Sequence, residues 1–205
     1  MRIAYFGGAF DPPHEGHLAE ARAVLRCRAA EEVWFAPVFV PPHKDGSGMT
    51  DFARRADMCR KLIAGESGMT VSEVERDMRV QPSYTVDVLE KLQTRYPGDT
   101  FVLLIGGDSL DCLQDWHRGR DLAEKFEIWT YPRPGVRASR GTLEKYFGAE
   151  TALKLLSRVL PGGEVPVSSS ELRRSLAQGR IPERGLSPAV LDYIVQQHLY
   201  GWGNQ

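Results

Sequence analysis

The chain has 205 residues, 42% hydrophobic and 26% charged, a balance that excludes a disordered tail or a disulfide-stapled mini-protein and suits one large domain or two small ones. Its 26 basic and 27 acidic residues leave a formal net charge of −1. No global field therefore draws it to nucleic acid or an anionic membrane, and an anionic ligand has to be held by local geometry. Cys27, Cys59 and Cys112 are too scattered for a disulfide framework or a structural zinc site, and Cys59 and Cys112 read as small buried apolar residues. No apolar run approaches the roughly 20 residues a bilayer requires, and no charged-then-apolar leader precedes the first strand-like run. The expected setting is the reducing cytoplasm.

In chain order, strand-like runs are expected over Arg2–Phe6, Val33–Val40, Phe101–Ile105 and Phe126–Tyr131, each nearly continuous in apolar residues, as in a sheet covered on both faces. Between them lie helical stripes: Leu18, Ala21 and Leu25, then Val86, Leu89, Leu92 or Gln93, and Tyr96, closed by Gly98. From Pro132 to about Gly163 a long connection is expected, with one helix around Leu143 to Leu156. A last helix opens at Ser187-Pro188 with Val190, Leu191, Ile194, Val195 and His198 on its inner face. The alternation predicts an α/β fold, a Rossmann-like doubly wound parallel sheet, in a single domain over 1–205 whose part from about residue 165 is helical. Ligands of such sheets bind at the carboxyl ends of the strands, where strand order reverses.

The first of those ends reads Gly7-Gly8-Ala9-Phe10-Asp11-Pro12-Pro13-His14-Glu15-Gly16-His17. Two glycines before a helix start present bare N–H groups and a partial positive charge to a phosphate, although a plain turn uses the same residues. His14 and His17, three apart, are expected on one face of the first helical turn, donating to a phosphoryl group under attack. His-x-x-His also occurs in zinc sites, but no nearby Cys or carboxylate set completes one.

Further along, Pro41-Pro42-His43-Lys44 is a stiff turn that holds Lys44 towards the crevice or simply in solvent. Ser83-Tyr84-Thr85-Val86-Asp87 opens a helix either as a cap or as a carboxylate receptor. Gly106-Gly107-Asp108-Ser109 places Asp108 for ribose hydroxyls or for capping, and Trp116 is either a core aromatic or a stacking platform. Arg133-Pro134-Gly135 fixes an arginine in a turn. In Ser168-Ser169-Ser170-Glu171-Leu172-Arg173, hydroxyls, free N–H groups and a guanidinium converge as on an oligophosphate.

The first loop, with its His-x-Gly-His core, resembles the phosphate-binding motif of the nucleotidyltransferase superfamily, with Ala9 where Ser or Thr is usual. Taken together and in this order, the later motifs look like the bacterial nicotinate-nucleotide adenylyltransferases, with Val88 where Thr commonly follows Asp87. The resemblance implies transfer of adenylate from ATP to nicotinate mononucleotide, with Mg²⁺ accompanying ATP, in NAD biosynthesis. It implies His14 and His17 as catalytic groups and Gly7, Gly8, Ala9, Phe10, Lys44, Gly106, Asp108, Ser169, Ser170 and Arg173 on the ATP and phosphate side. Thr85, Trp116, His117 and Arg133 fall to nicotinate mononucleotide. No resident metal, nucleic acid or membrane partner is implied, and neither a monomer nor a homo-oligomer is singled out. The alternatives are adenylyl transfer to another phosphomonoester such as phosphopantetheine, and a non-catalytic nucleotide-binding regulator.

Overall fold

In the central strands, neighbouring residues feed opposite apolar faces, and this alternation builds two cores on one sheet. In β1 (Arg2–Gly8), Ala4 and Phe6 join one cluster while Ile3 and Tyr5 join the other. In β4 (Thr100–Gly106), Val102 and Leu104 face the first core, and Phe101, Leu103 and Ile105 the second. The structure is a computed structural model and describes residues 1–41, 48–133, 138–161 and 166–203.

The remaining strands are β2 (Glu32–Pro37), β3 (Met69–Val71) and β5 (Glu127–Tyr131). Among the described residues they form one sheet of order β3-β2-β1-β4-β5, every pairing parallel. This is the doubly wound α/β sheet expected from the alternation. Its order reverses between β1 and β4, so the crevice opens beyond Gly8 and Gly106.

Helices α1 (Glu15–Arg26), α2 (Phe52–Leu62), α3 (Val74–Asp77) and α4 (Thr85–Arg95) lie in the first half. They are followed by α5 (Gly107–Asp111), α6 (Gly119–Lys125), α7 (Arg140–Phe147) and α8 (Ala149–Ser157), then α9 (Ser169–Ala177) and α10 (Pro188–Gln196). Leu176 of α9 and Val190 and Ile194 of α10 enter the same core as Leu18 and Val24 of α1, so the C-terminal helices pack beside the first loop. Each fully buried side chain of this size contributes about 1.5–3 kcal/mol.

Several expectations change. β1 continues through both glycines, which pair with Ala36 and Pro37. β2 stops at Pro37 rather than Val40, because the N–H groups of Phe39 and Val40 turn away to Glu75 Oε2 (2.8 Å) and Ser83 Oγ (3.3 Å). Strand β3 and helix α2 carry too short or too polar a pattern to be anticipated. The helix expected around Leu143 to Leu156 is two helices, α7 and α8, broken at Gly148, whose φ of +81° belongs to the left-handed region that glycine tolerates. His198 is not on the inner face of α10. It lies beyond the helix end, exposed, at φ +49°. Cys112 is exposed as well, whereas Cys59 is buried.

Candidate active site

The loop from β1 to α1 is held almost entirely by groups remote in sequence. The two glycines are explained by close approach of aromatic rings: a Cβ on Gly7 would stand 2.8 Å from the Tyr5 ring, and one on Gly8 3.2 Å from the Phe10 ring. Phe10, at φ +48°, turns its buried ring into the core, edge-on to Phe6 and His17 at centroid distances of 5.4 and 5.0 Å. Arg55 of α2, only 1% exposed, donates to three backbone carbonyls, those of Ala9 (2.8 Å), Val38 (2.7 Å) and Thr50 (2.8 Å). One guanidinium thereby ties the ends of β1 and β2 to the entry of α2, and neutral carbonyls solvate a charge that burial would otherwise penalise.

Asp11 is equally committed, accepting from the Tyr200 hydroxyl (2.7 Å) and the Thr50 N–H (3.3 Å). From α9, Ser169 donates to the Pro12 carbonyl (2.9 Å) and Arg173 to the Asp11 carbonyl (2.6 Å), with a second Arg173 nitrogen 3.3 Å from Ser170 Oγ. The serine and arginine of the C-terminal motif thus stand at the first loop, and their hydrogen bonds in this structure go to its backbone.

His14 is not on the first helical turn. Its extended backbone (φ −147°, ψ 170°) makes it the N-cap of α1. Its Nδ1 accepts from the His17 N–H (3.4 Å), and His17 Nδ1 accepts from the His14 N–H (3.1 Å), a reciprocal capping box built from two imidazoles. The rings stack at 3.7 Å with 20° between planes. Burial pushes the His14 imidazole down to about 4, with the Arg133 charge adding to the effect. Burial, then His14 and Arg133, hold His17 well below the usual histidine range. Both rings are therefore neutral at physiological pH, and with both Nδ1 atoms occupied as acceptors, each carries its remaining proton on Nε2 as a free donor.

Beyond β4 and β5 lies the second side of the crevice. The Asp108 side chain is 61% exposed, 3.8 Å from Arg133 Nε, and α5 has no side-chain cap, so Asp108 is not spent on capping. A Cβ on Gly106 would strike Asp108 Oδ1 at 2.3 Å, so the glycine leaves that carboxylate its place. Arg133 lies over the Tyr131 ring (5.1 Å) and donates to its hydroxyl (3.3 Å).

Between these loops and α4 is a cleft of about 250 Å³ lined by Gly7, Gly8, Ala9, Thr85, Trp116 and His117, among others. The N-terminus of α4 opens at it with no side-chain cap, leaving N–H groups unspent. His117 stacks on Tyr84 at 4.1 Å, and its Nε2 lies 3.9 Å from Asp87. Three of the four residues that the resemblance assigns to the mononucleotide thus line one cleft. Arg133, which the resemblance groups with them, is not in its lining. It follows β5, the edge strand beyond β4, and its charge acts on His14 and His17 instead. Lys44 lies outside the described residues.

Sequence reasoning missed Arg55, Asp11 and the pair at the cleft floor, where Tyr5 donates to the buried Glu75 carboxyl. Burial raises the Tyr5 hydroxyl well above its usual value and raises Glu75 too, against the pull of its donors. A lone arginine in a polar helix or an aspartate in a loop carries no local signal of such bonding.

Residues 5–175 match the cytidylyltransferase-like family model. A Shouchella clausii protein named "Probable nicotinate-nucleotide adenylyltransferase" is 36% identical over 204 residues, covering 100% of this chain and 99% of that protein. The Bacillus subtilis nicotinate-nucleotide adenylyltransferase is 33% identical over 199 residues, 97% of this chain and 98% of that one. In fold, the chain is similar to a Plasmodium falciparum nicotinic acid mononucleotide adenylyltransferase complexed with NaAD, with a TM-score of 0.79 at 19% identity over 100% of this chain and 99% of that one.

Proposed function

The chain belongs to the cytidylyltransferase-like family and, within it, to the nicotinate-nucleotide adenylyltransferases, and from that premise we propose that it transfers adenylate from ATP to nicotinate mononucleotide in NAD biosynthesis. A phosphate oxygen of the mononucleotide attacks the α-phosphorus in line. The bond from that phosphorus to the bridging oxygen breaks, and pyrophosphate leaves with the electron pair. Deamido-NAD is the other product, and the enzyme forms no covalent intermediate.

The observation that carries the reading is the His14–His17 pair: two neutral imidazoles with Nδ1 occupied and Nε2–H free, fixed at the switch point of the sheet. Such donors stabilise charge on the transferring phosphoryl group without reorganising, which is the main contribution open to a protein in this chemistry. Backbone groups of Gly7, Gly8, Ala9 and Phe10 follow the phosphates, with Lys44, Ser169, Ser170 and Arg173 on the polyphosphate side. Arg133 acts as positive charge beside the same atoms. Asp108, with the space Gly106 leaves it, accepts from the adenosine ribose. Trp116 and His117 flank the pyridine ring, and the start of α4 at Thr85 receives the nicotinate carboxylate.

Among the described residues no group of three or more His, Cys, Asp or Glu is arranged to hold a metal ion. Mg²⁺ is taken to accompany the ATP polyphosphate, whose charge it would shield, and no step here is routed through it. No helix among the described residues is long and apolar enough to cross a membrane.

The test is pyrophosphate release from ATP with nicotinate mononucleotide, nicotinamide mononucleotide or phosphopantetheine as acceptor. Release is expected to be fastest with the first. Equal rates for the two mononucleotides would overturn the acid specificity, and faster release with phosphopantetheine would overturn the acceptor class. ATP binding with no acceptor-dependent release would reduce the protein to a nucleotide-binding regulator.

A further inference from the structure

The acceptor cleft has Tyr84 and Thr85, at the entry of α4, and Trp116 and His117 in its lining. The next residue, Arg118, is outside the lining, yet it ties these two segments together. Its Nη1 donates to Asp87 Oδ1 (3.1 Å) and Glu90 Oε2 (2.9 Å), its Nη2 to Glu90 Oε1 (2.8 Å) and its Nε to Asp121 Oδ2 (2.9 Å). All three guanidinium nitrogens are thereby committed to three carboxylates, two on α4 and one on α6, with a bidentate fork on Glu90. Isolated surface ion pairs contribute little, but this is a network with fixed fork geometry, and Lys125 joins it at Glu90 (2.7 Å).

The backbone here is as constrained as the side chain. Arg118 sits at φ +51°, in the left-handed region that a non-glycine residue keeps only where its surroundings hold it there. Upstream, the Trp116 N–H donates to the carbonyl of fully buried Leu113 (3.2 Å), and a Cβ on Gly119 would stand 2.1 Å from that same carbonyl. The Trp116–His117 segment is thus pinned to the second core at one end and to α4 through Arg118 at the other. Charge adds to the geometry. Asp87 lies in the first turn of α4, where its carboxylate repels an anionic group arriving at the N–H groups of that turn, and the guanidinium beside it offsets that repulsion.

We propose that Arg118 is a positioning and specificity-determining residue for the acceptor. By clasping α4 to α6 it holds Trp116 and His117 against the start of α4, and by neutralising Asp87 it keeps that helix start receptive to a carboxylate on the pyridine ring. It touches neither substrate and takes no part in bond making at phosphorus. Its effect therefore falls on acceptor binding and on the choice between an acid and an amide, and not on the chemical step.

The inference rests on the functional reading above, so its experiment measures binding and turnover separately. Pyrophosphate release kinetics, and calorimetric binding of nicotinate mononucleotide, are compared for the full unmodified chain, Arg118→Ala, Arg118→Lys and Arg120→Ala. Arg120 bonds to Glu124 on its own helix (2.9 Å), so its variant removes the same charge without touching the clasp. Arg118→Ala is expected to raise KM for nicotinate mononucleotide about tenfold, the equivalent of one charge-assisted hydrogen bond, with kcat and KM for ATP unchanged. Its discrimination between nicotinate and nicotinamide mononucleotide should fall about threefold, because the amide carries no charge for Asp87 to repel. Arg118→Lys keeps a cation beside Asp87 but loses the fork. It is expected to raise KM for both mononucleotides while preserving the discrimination, and Arg120→Ala to change nothing. A fall in kcat, or a rise in KM for ATP in step with that for the acceptor, would mark a general structural role and overturn the proposal. An equal effect in Arg120→Ala would do the same. Acceptor-dependent release with acceptor KM untouched in Arg118→Ala defeats this inference alone. Mononucleotide binding that weakens in Arg118→Ala, in a protein that releases no pyrophosphate, defeats the functional reading alone, and neither binding nor release defeats both.

Discussion

The two loops that leave the adjacent strands β1 and β4 face the same crevice but are built in opposite ways. The β1 loop is immobilised: Arg55, Ser169, Arg173 and Tyr200 all bond to Ala9–Pro12, and both histidines are locked by each other's backbone. The β4 loop is bare, with an uncapped helix start and a largely exposed Asp108. Groups that stabilise a transition state gain most from being fixed before the reaction, because no free energy is then lost in reorganisation. A carboxylate that only accepts from ribose hydroxyls needs access, and a buried one would be costly to keep charged. The contrast predicts a rigid reacting centre beside an open sugar site.

The largest break in that comparison comes from the fixed side. His17→Ala is expected to lower kcat about 10²–10³-fold, the loss seen when one preorganised donor is removed, with KM for either substrate little changed. A proportionate rise in KM instead would mean that His17 serves ground-state binding.

Next in size is the cost of burying neutral imidazoles. His14 in the folded protein titrates at about 4, below the usual 6.5, so the unfolded chain takes up a proton first as pH falls. Stability is fully present above about 6.5 and is lost towards 4. From this one residue the loss at pH 5 relative to pH 8 is about 2 kcal/mol, read by chemical denaturation at the two pH values. His14→Asn, which keeps an N-cap side chain without a titrating ring, should flatten that slope. An unchanged slope would clear His14 as its source.

The smallest effect belongs to the open side. Asp108→Asn is expected to raise KM for ATP about tenfold, the equivalent of one charge-assisted hydrogen bond, and to leave the melting temperature where it was. A melting shift of several degrees would show that the β4 loop is structurally committed after all.

What could be read along the chain was what depends on near neighbours. The apolar runs of β1 and β4 mark strands because their alternation is complete within six or seven residues. The histidine pair is visible because a capping box spans three positions. Reading failed where the partner is far away, as at β2, which ends early because Glu75 and Ser83 capture its N–H groups, and where the helical pattern runs straight across a break, as at Gly148 between α7 and α8. That Arg133 stands outside the cleft lined by Thr85, Trp116 and His117 was equally out of reach, since a motif does not say which side of β4 its strand will occupy.

By itself the sequence determined the doubly wound sheet and the two imidazoles that follow its first strand, both written in periodicities and short spacings that local physics enforces, while the order of the later motifs carried the family resemblance. Only the tertiary structure decided what those motifs hold. Ser169 and Arg173 reach the first loop across 157 and 162 residues, and Tyr200 across 189. Hydrogen bonds over such separations exist only once the two cores have closed around the sheet, because only burial of both apolar faces offsets the chain entropy of bringing them together.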